Sequence, residues 1–404
     1  MRIVEPAMKR APREKKQPKW GGRSDLSAAG RWFWETDRVL LLLVAILIVV
    51  GLIAVAAASP AAAERLSGGN VQFAPLRFFF QQLVWIAVAV PLMIGISMLP
   101  KTAARRFAIF GAIVFTIMLM LVPLIGMEKN GAVRWIDFKV TNLQPSEFLK
   151  PLYVVAMAWL LSLKQKDQAL PMVPVTGAIT LVIAFALMRQ PNLGETVIFA
   201  CTWVALLTLS GARMRYLYIL AGAAVALLIL AYFFYDVATQ RINGFLFNEG
   251  DNAQTEAALK TLVSGGLFGL GPGAGVRKFH LPEPHTDYIF SVIGEEFGMI
   301  ACLAIAILYL AIIARVLVRM LNEEDQFIVL AAGGLVIQLG VQAVINMAVN
   351  VHLLPSKGMT LPFISYGGSS MLALSLGFGL LLAFTRRNPY LHRSPYVVKW
   401  SGRE

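Results

Sequence analysis

The sequence predicts an all-α, polytopic membrane protein of about ten transmembrane helices, and three observations carry that prediction. Hydrophobic residues make up 57% of the 404 residues and charged residues only 15%, whereas a soluble domain carries about 25% charge. Mean hydropathy is +0.67. The apolar residues also fall in runs of roughly 20, the length a helix needs to cross a bilayer core.

Taken in order, the predicted spans are Val39 to Ala58, Phe78 to Met98, Phe107 to Ile125, Phe148 to Leu163, Val173 to Leu187, Thr196 to Ser210, Leu217 to Tyr235, Tyr288 to Ala314, Phe327 to Val349 and Met371 to Phe384. The fourth, fifth, sixth and tenth are short. Lysine and arginine set the orientation, because cytoplasmic connections carry the excess of both. Residues 1–38 hold ten of them, Lys15, Lys16 and Arg23 included, and read as a disordered basic cytoplasmic arm. An alternative is a docking peptide or a patch on anionic lipid. Arg386, Arg387, Arg393, Lys399 and Arg403 place the tail, 385–404, on the same side, as do Lys101, Arg105, Arg106, Lys164, Lys166, Arg213, Arg215, Arg315 and Arg319 for the short connections. The polar segment from Asp236 to Asp287 is then extracytoplasmic, and it is the longest connection, so no separate soluble domain fits between spans.

Several function classes drop out. The net charge of +13 is accounted for by the inside bias, and a basic balance without a reading motif is weak evidence for nucleic acid; no nucleic-acid partner is expected. Ala54 to Ala63 resembles a signal cleavage site, but the preceding apolar run is too long and too far from the start, so it reads as an anchor. Cys201 and Cys302 sit inside apolar spans and offer no disulfide framework. The four histidines include no pair four residues apart, so no preformed metal site is expected.

Chemistry is best sought in the stretch His280 to Glu296. It gathers His280, His285, Glu283, Asp287, Glu295 and Glu296 against apolar flanks in a chain poor in charge. An acid at the mouth of a span is costly to keep without a task, since a charge at the bilayer centre costs roughly 2.5 to 3.5 kcal/mol on insertion scales. Asp287 is therefore the leading catalytic candidate.

Three further polar turns accompany it. Gly131 to Ile136 with Arg134 leads to Gln144-Pro145-Ser146-Glu147-Phe148-Leu149-Lys150, where proline and acid mark a helix start and Glu147 and Lys150 share a helical face. That pair reads either as a charge-neutralising ion pair or as a wall of a substrate cavity. Arg189 to Glu195, with Gln190, and Pro355 to Ser370, with Lys357, Ser365 and Ser369, complete the set. All four fall on the outer side of the predicted topology. Irregular backbone at membrane depth is tolerated only in protein or around a wet cavity, so they are expected to converge. Between Gln254 and Ser264 a short helix is expected, followed by the glycine-rich stretch Gly265 to Gly275. No predicted strand precedes those glycines, so a dinucleotide site is excluded. They either let a loop fold back over a cavity or simply break a helix.

Gln144-Pro-Ser-Glu147, Gln190-Pro-x-x-Gly194, Leu281-Pro-Glu-x-His-Thr-Asp287 with Glu295-Glu-x-Gly298, and Leu361-Pro-Phe-Ile-Ser-Tyr-Gly-Gly-Ser-Ser370 together resemble the signatures of the SEDS family (shape, elongation, division and sporulation). The resemblance spans nearly the whole membrane region, and the division branch is matched better than the elongation branch. It implies a ten-span fold and a peptidoglycan glycosyltransferase that polymerises lipid II at the outer face of the inner membrane during septal wall synthesis. It also implies an essential aspartate in the long external loop, matching Asp287.

The implied reaction joins the 4-hydroxyl of an acceptor GlcNAc to C1 of the donor MurNAc with inversion, releasing undecaprenyl diphosphate. A sugar hydroxyl is a poor nucleophile, so Asp287 is expected to serve as general base. Diphosphate leaves without a proton, so no strong acid is required, in contrast to glycosidases. Arg134, Lys150, Arg277, Lys278 and Lys357 are the candidate cations for its charge, with a divalent ion, Mg or Mn, as a further option. Glu147, Gln190, Glu195, Glu283, His285, Ser365 and Ser369 complete the expected substrate-binding set. The implied partners are a class B penicillin-binding protein of FtsI type and other division membrane proteins. The chain departs from the family where Asn192 replaces the usual acid after Gln-Pro, where Glu195 follows the next glycine, and at Lys139. The rival readings are a lipid II flippase and an elongation-type polymerase.

Overall fold

The computed structural model describes residues 28–67, 72–129, 132–137, 142–167, 169–234, 239, 243, 253–355 and 358–386. The chain divides into two units. The first contains helix α1 (Ala28–Glu35), which lies inside the segment expected to be unstructured. The second, Asp37–Thr385, holds everything that follows.

Each of the ten predicted apolar runs is a helix: α2 (Arg38–Leu66), α3 (Arg77–Ser97), α4 (Lys101–Ile125), α5 (Pro145–Lys166), α6 (Met172–Met188), α7 (Leu193–Leu209), α8 (Met214–Phe234), α10 (Ile289–Met320), α11 (Gln326–Asn350) and α12 (Gly368–Thr385). The short helix expected near Gln254 is α9 (Ala253–Ser264). Seven of these are long and apolar enough to cross a membrane among the described residues, and α6 and α7 are apolar helices of 17 residues. The first run continues eight residues past Ala58, through Pro60, to Leu66. Asp37 caps it by accepting from the Val39 and Leu40 amides at 3.0 and 3.3 Å. The same carboxylate pairs with Arg315 and Arg319 near the end of α10, clamping the two helices at their basic ends.

The bundle has an inside and an outside. About four-fifths of the apolar windows of α5, α11 and α12 are buried in protein, against a third or less for α2, α3, α4 and α10. Glu147, Lys150, Gln338, Gln342, Asn346 and Asn350 belong to the inner set, where protein rather than lipid must satisfy them. A feature the hydropathy pattern does not reveal is a small antiparallel ribbon, β1 (Met127–Lys129), β2 (Ala132–Asp137) and β3 (Asn142–Leu143), in that order, between α4 and α5. It carries Arg134 over the start of α5.

Helix α10 is broken at Gly298, whose φ of 83° and ψ of 175° are not helical. The cause is a backbone crossing: a Cβ there would collide with the Leu267 carbonyl oxygen. The glycine-rich stretch therefore folds back onto the opening turns of α10, and it does so by backbone pairing, Leu270 N–H to Glu295 O at 2.9 Å and Gly271 N–H to Glu296 O at 3.0 Å.

Candidate active site

Asp287 sits two residues before α10, and its place is fixed from α11. Asn346 and Asn350 both donate to the Asp287 carbonyl, at 2.9 and 3.1 Å. Asn346 also donates to Met359 O at 2.6 Å, so one amide ties the aspartate loop to the turn before α12. Asn350 accepts from the amide and hydroxyl of Ser291 at 3.1 and 2.7 Å, capping the opening turn of α10. These bonds hold the backbone and leave the carboxylate free to project. It is half-buried and faces Gly358, where a Cβ would lie 3.4 Å from Oδ2. Burial pushes the Asp287 pKa up to about 7, Glu283 reinforcing the shift and the Arg134 cation opposing it.

Around it the polar turns converge. Thr286 donates to Glu283 Oε2 at 2.8 Å, orienting that second carboxylate. Its carbonyl accepts from Ser365 Oγ at 2.6 Å, while Ser365 Oγ accepts from the Leu361 amide at 2.8 Å. Ser365 is thus a strut between two loops. His285 is buried beside the rings of Phe78 and Tyr366, with centroids at 4.4 and 5.2 Å. That burial lowers its pKa to about 4, so the ring is neutral at physiological pH and supplies shape rather than charge. Ser369 donates to Asn142 O at 2.5 Å, joining α12 to the ribbon.

Arg134 reaches from β2 to the turn before α7, donating to Gln190 O at 3.1 Å and Pro191 O at 2.6 Å. Gln190 in turn donates to Leu119 O on α4 at 2.8 Å. The guanidinium is therefore braced by the turn before α7, itself tied to α4, while its charge acts on Asp287.

A second cluster lies in the inner helices. Lys150 pairs with Glu147 at 2.7 Å and donates to Gln342 Oε1 at 3.2 Å, all three buried. Glu195 accepts from Gln144 at 2.8 Å and lies within electrostatic reach of Glu147 and Lys150. Asn192, where the family usually has an acid, instead caps α7 by accepting from the Glu195 amide at 3.4 Å. Its neighbour one turn on thus supplies the buried carboxylate. Gln342 donates to Thr360 O at 3.1 Å, linking this cluster to the turn that Asn346 holds. A cavity of about 30 Å³, room for about two waters, separates Glu147, Lys150, Gln338 and Gln342 from apolar residues of α12.

Two of the expected cations stand elsewhere. Lys278 is fully buried, pairs with Glu296 and donates to Ala57 O at 2.9 Å. Its ammonium is consumed inside the fold, which corrects its reading as a diphosphate ligand: leaving Glu296 unpaired there would be costly. Arg277 is exposed, with its backbone amide held by Glu295 at 2.7 Å. Lys357 and Lys139 lie outside the described residues.

The ladder Gln338, Gln342, Asn346 and Asn350 was missed by sequence reasoning. All four are buried, and their four-residue spacing puts them on one face of α11. That periodic amide stripe in an otherwise apolar run was the available signal.

Comparison with known proteins places this geometry. The family model FtsW/RodA/SpoVE, described as cell cycle protein, matches residues 37–390. A relative from Caulobacter vibrioides, named probable peptidoglycan glycosyltransferase FtsW, is 39% identical over 368 residues, covering 91% of this chain and 93% of its own. Another of that name, from Coxiella burnetii, is 32% identical, covering 86% and 96%. The crystal structure of the rod shape determining protein RodA of Thermus thermophilus superposes with a TM-score of 0.65 at 26% identity, covering 87% of this chain and 96% of that one. A chain from a peptidoglycan synthase complex gives 0.71 at 24% identity, covering 87% and 97%, a likeness of fold.

Proposed function

The chain belongs to the FtsW/RodA/SpoVE family, and from that premise we propose that it is a peptidoglycan glycosyltransferase polymerising lipid II during septal wall synthesis. The division assignment follows the relatives named FtsW. The observation that carries the mechanism is the half-buried Asp287 carboxylate, fixed by its backbone to α11 and faced by Arg134 and Glu283.

In this reading Asp287 accepts the proton of the acceptor 4-hydroxyl as that oxygen attacks C1 of the donor. The C1–O bond to diphosphate breaks on the opposite face, giving the inverted β-linkage. A base with a pKa of about 7 is matched to the operating pH, and such catalysis contributes about 10² to 10⁴ in rate. Arg134 is the cation proposed to receive the diphosphate charge, while the Glu147–Lys150–Glu195 cluster holds the floor of the site. Among the described residues no three acidic, histidine or cysteine groups form a metal cluster. Glu283, oriented by Thr286, nonetheless fits the kind of carboxylate that accompanies substrate phosphates around Mg²⁺ or Mn²⁺, and such an ion would neutralise leaving-group charge.

The proposal includes ten spans with both termini cytoplasmic, location in the inner membrane at the septum, and a class B penicillin-binding protein of FtsI type as partner. The test is purified protein with labelled lipid II, with and without that transpeptidase and with and without chelator. Glycan chains are expected, most abundant with the partner present. Their absence from a folded, partner-bound preparation supplied with divalent ions contradicts the proposal.

A further inference from the structure

The loop that docks on broken helix α10 exposes what a watery loop should hide. Phe268 is 81% exposed, Leu267 63% and Leu270 50%. Most of its backbone amides, by contrast, have protein acceptors. Besides the two amides paired with Glu295 and Glu296 carbonyls, Gly269 donates to Gly265 O at 2.8 Å and Ala274 to Gly271 O at 3.1 Å. The Glu295 carboxylate accepts from the amides of Val276, Arg277 and Lys278, and Glu296 accepts from Gly273 at 3.1 Å. Pro272 has no N–H to satisfy. Exposed apolar side chains beside amides met largely by protein suit irregular chain at the edge of the hydrocarbon.

Helix α10 gives the depth. Its basic end is marked by Arg315 and Arg319, held by Asp37. A hydrocarbon core of about 30 Å, at 1.5 Å per residue, ends about 20 residues before Arg315, near Glu295. The loop is bonded just inside that level, Met299 N–H to Gly266 O at 3.0 Å and Ile300 N–H to Leu267 O at 3.3 Å. From there Met299, Ile300, Leu303, Ile307 and Leu310 continue down α10 as exposed apolar side chains. Leu267 and Phe268 thus extend an existing lipid-facing surface at its upper edge.

We propose that Gly265–Gly275 is a re-entrant loop whose Leu267, Phe268 and Leu270 insert into the bilayer leaflet on the Asp287 side, anchoring the segment that leads to the site. Glu295 and Glu296 are the acceptors that make the insertion possible, and Gly265, Gly269 and Gly298 permit the close backbone crossing, since a Cβ at each would collide with a carbonyl oxygen of the opposing strand of chain. Arg277, exposed and itself part of the carboxylate-bound turn, is carried to the level of lipid headgroups. The inference uses the membrane setting of the fold and stands whether or not Asp287 is the base.

The test is spin labelling at Phe268→Cys in a Cys201→Ala, Cys302→Ala background, with Leu267→Cys as a second site and Lys260→Cys, on the exposed face of α9, as the aqueous control. In phosphatidylethanolamine–phosphatidylglycerol vesicles, labels at 268 and 267 are expected to collide more with oxygen than with a water-soluble nickel chelate, and the label at 260 the reverse. Chelate access at 267 and 268 equal to that at 260 overturns the proposal. Access lost only when a class B penicillin-binding protein is added overturns it too, by making the loop a protein-docking face.

Discussion

A carboxylate that titrates near neutrality is a poor ornament and a serviceable base. Burial raises the folded-state pKa of Asp287 from 3.8 to about 7, so the folded chain binds a proton that the unfolded chain has released over that interval. Stability from this group is full below about pH 4 and is lost as pH rises through about 7. Catalysis runs the other way, because the base must be ionised. We expect kcat/KM for polymerisation to rise with pH through an apparent pKa of about 7, and Asp287→Asn to melt no lower than the parent at pH 8. A flat profile across pH 5 to 9 contradicts the assignment. At this scale the sequence disclosed Asp287, Glu283 and Arg134, because charges are conspicuous in an apolar chain. Lys278 was misread because its partner Glu296 is 18 residues away and meets it only once the glycine loop has folded back. Asn346 and Asn350 were missed because a single amide in a span is bland; only their shared face gives them meaning.

Elements follow the same logic. The ten apolar runs became helices because length and hydropathy decide such segments, and α9 was legible from its apolar spacing. The ribbon was not, since its strands are short and its pairing joins residues that no local period connects. The break in α10 belongs to Gly298 together with Leu267, a contact between two segments rather than a property of either. The buried face of α11 yields a prediction. Asn346→Ala removes donors to the Asp287 and Met359 carbonyls; Asn350 still serves the first, and the unmet Met359 acceptor costs about 1 to 3 kcal/mol in stability. With the aspartate loop loosened, kcat is expected to fall about tenfold or more with KM little changed, the signature of an interaction used in the transition state. Asn346→Asp, of similar shape but without the donor, is expected not to restore it; full activity in both variants contradicts the role assigned to this amide.

On the scale of the whole molecule, α5, α7 and α11 carry the buried polar cluster and outer helices α2, α3, α4 and α10 meet lipid. This sorting explains how a chain with 15% charge keeps Glu147, Lys150 and Glu195 in a bundle interior: each has a protein partner, and none faces hydrocarbon. Orientation rests on the lysine and arginine bias of the connections. Single cysteines at Ser24 and Ser394 in intact cells are expected to resist a membrane-impermeant maleimide until the membrane is opened; labelling of either one before that step contradicts the proposed topology. The central claim is that Asp287 does the chemistry and the rest of the site holds it there. It is tested most directly by the polymerisation of labelled lipid II at pH 8 with Asp287→Asn beside the parent, each bound to its cognate class B penicillin-binding protein. The account predicts glycan chains from the parent and none above background from the variant; chains of undiminished yield from a folded Asp287→Asn protein would contradict it.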